Sequence, residues 1–421
     1  MHIVYVTSEL CGMKSVSKGG LASFVSNISY IMKEKGHSVE IILVTTKEDD
    51  QCYDLPVPVV NVFVPKVEWD EYYYVTQRFC VENNNDSDSL RKFIVDIRKA
   101  ELVKQKLLEI DSKSKIDIVH FSNLGGYSLL MDHSIPYVVR ISGFGNIIEE
   151  GAERPDCRLD FAKNPVRQKD VLEVRALQRA RFTISPSNLC REIGREGLGI
   201  DPAVIESPFN LNEDICFDNY NEFLKGKKYI FYFGKLNRNK GIHVIAELSE
   251  EFLKTNREMY IVMAGNDRNI CVEGKDVMGS QYVFEQAGAY RDRIIYLGEI
   301  SKANLKGVII NAEAVVLPSR MDNLPNSCIE AMALGQIVIG TDGASFEQII
   351  DDDVNGFLCK RDDSDSFLKV INKVLSLSES EREEIKNAAK RITDRLSPNR
   401  IYDSYISFYD RVIDCWNSKR E

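Results

Sequence analysis

The residues best placed to do chemistry lie in PSRMDNLPNSCIEAMALG, positions 318–335. The window reads as a strand end, a polar loop and the start of a helix. Seven residues separate Asp322 from Glu330, which puts one carboxylate in the loop and the other in the first helical turn. The free backbone N–H groups of a helix entrance are a natural seat for phosphate. A carboxylate beside them can accept hydrogen bonds from both hydroxyls of a ribose, as the acids of dinucleotide sites do. The loop acid can hold sugar hydroxyls in the same way. A plainer reading has equal weight: Ser327 and Glu330 have capping-box spacing, and Asp322 suits an ordinary turn.

Two further windows carry cations and glycines. In FYFGKLNRNKGIHVI, positions 231–245, Gly234 ends an apolar run, and Lys235 and Lys240 flank a short polar loop. Two ammonium groups at the mouth of a sheet can neutralise a diphosphate as it departs and gathers charge. Arg238 offers a third cation, and lone lysines are more often simply solvated. The amino-terminal loop Ser17-Lys18-Gly19-Gly20-Leu21 follows the first apolar run. Paired glycines there let the backbone approach a ligand closely, although a tight turn explains them equally well.

These loops need a scaffold that brings strand ends together. HIVYVT (2–7) and SVEIILV (38–44) are short and almost wholly apolar, as parallel strands covered on both faces should be. Between them Leu21, Phe24, Val25, Ile28, Ile31 and Met32 recur at helical spacing, which makes a right-handed strand–helix–strand crossover. Further strands are expected at 57–64, 116–121, 135–142 and 181–185, with helices near 89–110, 167–180 and 187–196. The stretch 143–166 has weak periodicity and reads as a long loop or small insertion. A Pro/Asn-rich break near ESPFNLNED (206–214) suits a linker. A second alternating series then begins. Its strands are expected at 228–234, 259–265, 293–298, 312–319, 336–341 and 356–359. Its helices are expected near 240–254, 281–288, 302–311, 327–334, 345–351, 364–376, 380–394 and 398–416. The fold class is therefore α/β, with two Rossmann-like doubly wound domains whose strand C-termini face a ligand cleft.

Composition removes several classes of function. The 421 residues are 44% hydrophobic and 28% charged, a globular balance rather than a disordered one. A formal net charge of −10 argues against nucleic-acid binding. The ten cysteines include no C-x-x-C pair, so they read as reduced thiols rather than a zinc or thioredoxin-like site. The chain enters an apolar run at once with no basic region ahead of it, and no apolar run approaches membrane-spanning length. A cytoplasmic location follows as the expectation. The locally basic stretch 91–115 is expected to be a surface helix with a solvated face. Peripheral contact with anionic lipid at the inner face of the membrane is its alternative.

Taken in this order, the three windows resemble retaining glycosyltransferases of the GT-B fold, specifically glycosyltransferase family 4. The resemblance runs over nearly the whole chain and is strongest from 228 to 360, through FYFGKLNRNKGIHVI, VMAG, YLGEI, VVLPSRMDNLPNSCIEAMALG, TDGASFEQII and DDDVNGFL. It implies an amino-terminal acceptor domain (1–206), a nucleotide-sugar domain (207–396) and a final helix (397–421) that returns to the first domain. The family's E-x7-E pattern maps onto Asp322 and Glu330. Asp322, with Asn323 and Leu324 after it, would contact the transferred sugar, and Glu330 the nucleotide ribose. Lys235 and Lys240, at the exit marked by Gly234, would hold the donor diphosphate. Gly19 and Gly20 resemble the glycine loop that closes over donor and acceptor. Departures from the family pattern are Asp for Glu at position 322, Lys for the commoner Arg at 235, and Ser142 where many members carry a histidine.

The resemblance implies transfer of a hexose-type sugar from a nucleoside-diphosphate donor, with a UDP-sugar foremost. The acceptor would be a glycan, a lipid-linked sugar or a small molecule, in cell-surface polysaccharide or glycoconjugate synthesis. No cofactor and no metal are expected, since the lysine pair can take the place of a divalent cation. The triplets Asp-Ser-Asp at 86–88 and 363–365 lie outside the donor windows. Acceptor choice would rest on the stretches 65–90 and 143–166. His120 and Tyr127, near strand ends, are expected to be structural rather than catalytic. Two readings compete: a sugar-nucleotide epimerase or hydrolase sharing the cleft, and a catalytically silent partner subunit that binds nucleotide sugars or glycans. A dinucleotide oxidoreductase fits poorly, because the first loop lacks G-x-G-x-x-G.

Overall fold

A computed structural model describes residues 1–11, 20–48, 53, 55–83, 87–143, 170–210 and 214–418. The chain forms two compact units. Of the described residues, one takes in those up to Pro208 together with those from Pro398 onward, and the other those from Phe209 to Ser397.

The first unit is built on seven parallel strands: β1 His2–Thr7, β2 Ser38–Val44, β3 Val59–Val62, β4 Ile118–Ser122, β5 Tyr137–Arg140, β6 Thr183–Ser185 and β7 Ala203–Val204. Their order across the sheet is β3-β2-β1-β4-β5-β6-β7. Every side chain of β1 is buried, which explains its unbroken apolar run at the centre of the sheet. Helix Gly20–Glu34 follows β1 and buries Leu21, Phe24, Val25, Ile28, Ile31 and Met32, the stripe read from the sequence. The stretch 65–90, expected to be variable, contains helix Lys66–Asn83, which precedes helix Ser87–Lys113. Residues 144–166 of the other variable stretch lie outside the described residues. The basic surface helix expected near 91–115 is the latter part of Ser87–Lys113.

The second unit repeats the plan. Strands β8 Lys228–Phe233, β9 Met259–Ala264, β12 Ile294–Tyr296, β13 Ala314–Leu317, β14 Val338–Thr341 and β15 Phe357–Cys359 form one parallel sheet, ordered β12-β9-β8-β13-β14-β15. A separate antiparallel hairpin, β10 Asn269–Val272 with β11 Lys275–Met278, was not evident from apolar patterning. The helix expected at 345–351 is only a short turn over Phe346–Gln348. The helix expected at 187–196 is α-helical only over Asn188–Ile193 and widens into a π turn as far as Leu198.

Both sheets reverse strand order at one place, between β1 and β4 in the first and between β8 and β13 in the second. Crossovers on either side of such a point leave in opposite directions, so the loops at the strand C-termini part and leave a crevice. Among the described residues, no helix is long and apolar enough to cross a membrane.

Candidate functional site

The chemistry-bearing loops of the second unit leave β8 and β13 at that reversal. After Phe233 the backbone turns through Gly234 at φ 135°, and Gly265 at φ 130° passes directly beneath. A Cβ on Gly265 would stand 1.8 Å from the Gly234 carbonyl oxygen, so this crossing needs glycine. Lys235 is exposed, and its carbonyl is held by the Tyr232 hydroxyl at 2.7 Å. Leu236, wholly buried, pins the loop to the core. Asn237 then caps the turn Arg238–Lys240, its side chain accepting the Lys240 N–H at 2.9 Å.

This turn rests on the loop from β13. Gly241 adopts φ 77°, and a Cβ there would come within 1.8 Å of the Pro318 carbonyl oxygen. The Arg320 N–H donates to the Asn239 carbonyl at 2.8 Å. The contact brings together two residues singled out by type alone: Lys240 Nζ makes a salt bridge to the Asp322 carboxylate, with side chains 29% and 15% exposed. Asp322 also accepts the Asn323 N–H through Oδ1 at 3.1 Å, and its carbonyl accepts the Ser345 hydroxyl at 3.0 Å. Asn323 and Leu324 are buried, so the loop behind Asp322 is packed into the unit.

Glu330 lies on helix Asn326–Ala333, where the cap position is taken by Pro325 and no side chain caps the N-terminus. The capping-box reading therefore fails. Because the helix starts one residue earlier than expected, Glu330 is in its second turn rather than its first. Its carbonyl accepts the Leu334 N–H at 3.2 Å within the helix.

A further clasp was missed in the sequence. Asp362, after β15 at φ 53°, accepts His243 Nε2 at 2.9 Å and Arg320 Nε at 2.8 Å. His243 and Arg320 are each 4% exposed. His243 follows the Lys240 turn, and Arg320 precedes Asp322 by two residues, so one carboxylate ties three loops at the same sheet edge. Burial alone would raise the Asp362 pKa, but the His243 hydrogen bond and the Arg320 charge outweigh it and hold it below the ordinary carboxylate range. The only available signal was one acidic residue beyond a strand, too common to single out. The neighbouring triplet 363–365 has a structural part: Asp363 caps helix Ser364–Ser376 by accepting the Ser366 N–H at 2.8 Å. Among the described residues, no group of acidic, histidine or cysteine side chains is arranged to hold a metal ion.

In the first unit, Gly20 begins its helix in an exposed position, and Gly19 lies outside the described residues. Ser142 donates its N–H to Asn123 Oδ1 at 2.8 Å, and its hydroxyl accepts Arg140 Nη1 at 2.9 Å. Glu173 accepts the Gly125 N–H at 2.9 Å, and burial pushes its pKa up to about 7. Tyr127 is buried and cannot present its ring to a sugar. His120 is 2% exposed and bonds the Tyr409 hydroxyl at 2.6 Å. Burial, helped by the Arg140 charge, lowers its pKa to about 3, so its imidazole stays neutral and serves packing.

The family model described as Glycosyl transferases group 1 matches residues 217–391, the greater part of the second unit. Among curated relatives, an uncharacterized glycosyltransferase MJ1607 of Methanocaldococcus jannaschii is 24% identical over 211 residues, covering 50% of this chain and 52% of the relative. The capsular polysaccharide biosynthesis glycosyltransferase CapM of Staphylococcus aureus is 27% identical over 242 residues, covering 55% and 60% respectively. The matches thus span little more than half the length of these relatives. In three dimensions the chain is similar to a sucrose-phosphate synthase from Thermosynechococcus elongatus, with TM-score 0.68 and 15% identity over 98% of this chain and 99% of the other. The chain has the GT-B fold, and its residues 217–391 are similar to the glycosyl transferases group 1.

Proposed function

We propose that this protein transfers a hexose-type sugar from a nucleoside-diphosphate donor, with a UDP-sugar foremost, to a glycan, lipid-linked or small-molecule acceptor, with retention at the anomeric carbon. The observation that carries this reading is the meeting of the Lys240 turn with the Asp322 loop at the strand-order reversal of the second unit. It brings an ammonium and a carboxylate into contact on the loops that lead into the Asn326–Ala333 helix. The group 1 glycosyltransferase match over the same residues supports it. Glu330 would hold the ribose, Asp322 with the Asn323–Leu324 backbone the sugar, and Lys235 and Lys240 the diphosphate near Gly234. Gly19 and Gly20 would approach the donor from the first unit, where the acceptor docks.

Among the described residues, no carboxylate stands out as a nucleophile, which favours front-face substitution. In that step the C1–O bond to the diphosphate breaks while the acceptor oxygen bonds C1 on the same face. The acceptor's hydroxyl proton passes to the departing phosphate oxygen. The protein supplies orientation and charge stabilisation, and lysines in place of a divalent cation make turnover metal-independent. Involvement in capsular polysaccharide synthesis, as the name of CapM states for that protein, is the setting we favour here.

The test is a thermal-shift screen of UDP-, GDP- and ADP-sugars, since a ligand of the native state raises the melting temperature by mass action. A turnover assay with and without chelator follows, with the product's anomeric configuration read by proton NMR. A donor that stabilises the protein, with chelator-insensitive transfer and retained configuration, is the expected result. An inverted product would refute the mechanism, and binding without transfer or hydrolysis would make the chain a silent nucleotide-sugar module.

A further inference from the structure

At the edge of the first sheet, β2 and β3 end side by side, and the chain leaving them lines an open cavity of about 490 Å³. That is within the size range of small-molecule sites. The wall is formed by Phe63, Pro65 and Trp69, with Lys47, Glu48 and Lys66. It stands at the strand C-termini, the end of a doubly wound sheet where ligands bind. No residue singled out by motif lies in it.

Its chemistry is that of a carbohydrate subsite. An indole ring offers a flat apolar face to the C–H face of a pyranose, while side-chain donors and acceptors around it can meet the ring hydroxyls. Trp69 supplies the face; Lys47 and Lys66, both exposed, supply donors, and exposed Glu48 an acceptor. The platform is held in place. The Arg91 guanidinium lies 5.9 Å from the Trp69 ring centroid and 5.0 Å from that of Tyr73, and Arg91 is itself bonded to Asp88 at 2.8 Å. A ring fixed before the ligand arrives loses little entropy on binding.

We propose that this cavity is an acceptor subsite, which seats a pyranose ring of a glycan acceptor against Trp69 with its hydroxyls directed to Lys47, Lys66 and Glu48. The proposal deepens the sugar-transfer reading and rests on it for the word acceptor. The binding of a sugar ring there can be tested without any turnover. The chain has two tryptophans, and the other, Trp416, is 3% exposed in the core. Saccharide binding should therefore change the emission of Trp69 selectively.

The full-length protein is titrated with methyl glucoside, methyl mannoside, N-acetylglucosamine and glucuronic acid to about 50 mM, a range suited to weak single-ring binding. At least one should shift tryptophan emission saturably, and Trp69→Phe should abolish the signal while Trp416 still emits. By calorimetry, Trp69→Ala should weaken that sugar at least about tenfold, with UDP affinity in the second unit changed less than twofold. Should Trp69→Ala fail to fold, the double variant Lys47→Ala/Lys66→Ala, altered only at exposed side chains, must show the weakening instead. No saturable shift with any of the four sugars, or a shift that survives in Trp69→Phe, overturns the subsite. A protein that binds these sugars but no nucleotide refutes the transferase reading and leaves the pocket standing.

Discussion

Lys240 and Asp322 are 82 positions apart, and their salt bridge makes them one electrostatic unit. Each holds the other's side chain where the proposed function needs it: the ammonium towards the diphosphate and the carboxylate towards the sugar. Removing either therefore removes part of the other's effect. Lys240→Ala should lower kcat about a hundredfold, the scale of losing one transition-state charge stabiliser, with a smaller change in donor affinity. Asp322→Ala should lower kcat/KM by a similar factor. In the double variant the combined loss should fall well short of the product of the two, because residues in direct contact are not additive. Measuring kcat/KM for the four proteins closes the cycle, and fully multiplicative losses would show that the pair does not work as a unit. The candidate residues were legible one at a time, because a lysine after a strand and an acid in a loop stand out in sequence. Their pairing was not, since it depends on the close approach of Gly241 to Pro318.

At the scale of loops and strands, the Asp362 clasp decides whether those side chains stay in register. Asp362 binds His243, at the start of the helix after the Lys240 turn, and Arg320 from the Asp322 loop, so its charge adds to the contacts that already join those segments. Its pKa is lowered in the folded state. The sign follows from linkage: the unfolded chain binds the proton more readily, so the stabilisation is complete above the ordinary value of 3.8 and is lost as pH falls below it. Asp362→Asn should cost about 2 kcal/mol at neutral pH, the scale of a charged hydrogen bond. It should also flatten the decline in melting temperature between about pH 5 and pH 3. Melting curves across that range check both effects; an unchanged acid limb in the variant would mean the carboxylate carries no such coupling. The strands themselves were readable because parallel strands buried on both faces need unbroken apolar runs, as in β1 and β8. Helix Lys66–Asn83 escaped because Val67, Tyr73, Tyr74, Val75 and Phe79 are exposed and blur the apolar stripe. The β10–β11 hairpin turns at Glu273 and Gly274, φ 50° and 77°, a signal that Glu-Gly between short alternating runs could have given.

At the scale of the molecule, the first unit is not complete until the chain's last helix has been made. Helix Pro398–Asn417 buries Ile401, Tyr405, Phe408, Tyr409, Val412 and Trp416, all on one face. Tyr409 bonds His120 of β4 at 2.6 Å, Tyr402 bonds His37 at 2.9 Å, and the Trp416 indole donates to the His133 carbonyl at 2.9 Å. The rings of Tyr405 and Phe24 pack 5.9 Å apart, and Arg140 lies 3.9 Å above Phe24. Six large side chains at roughly 2 kcal/mol each contribute on the order of 10 kcal/mol of burial, comparable to the whole stability of an ordinary domain. Removal of the helix would also leave His120 in an apolar site without its hydroxyl partner, a further cost. Truncation after Ser397 should therefore unfold the first unit while the second, whose core lies within Phe209–Ser397, stays native. Limited proteolysis followed by mass spectrometry reads this directly. In the truncated protein, cleavage should spread through β1 to β7 and spare β8 to β15. UDP should still raise the melting temperature of what remains if the donor site lies in the second unit as proposed. Protection of β1 to β7 equal to that of the full chain would mean that the helix is an appendage rather than part of the first unit's core.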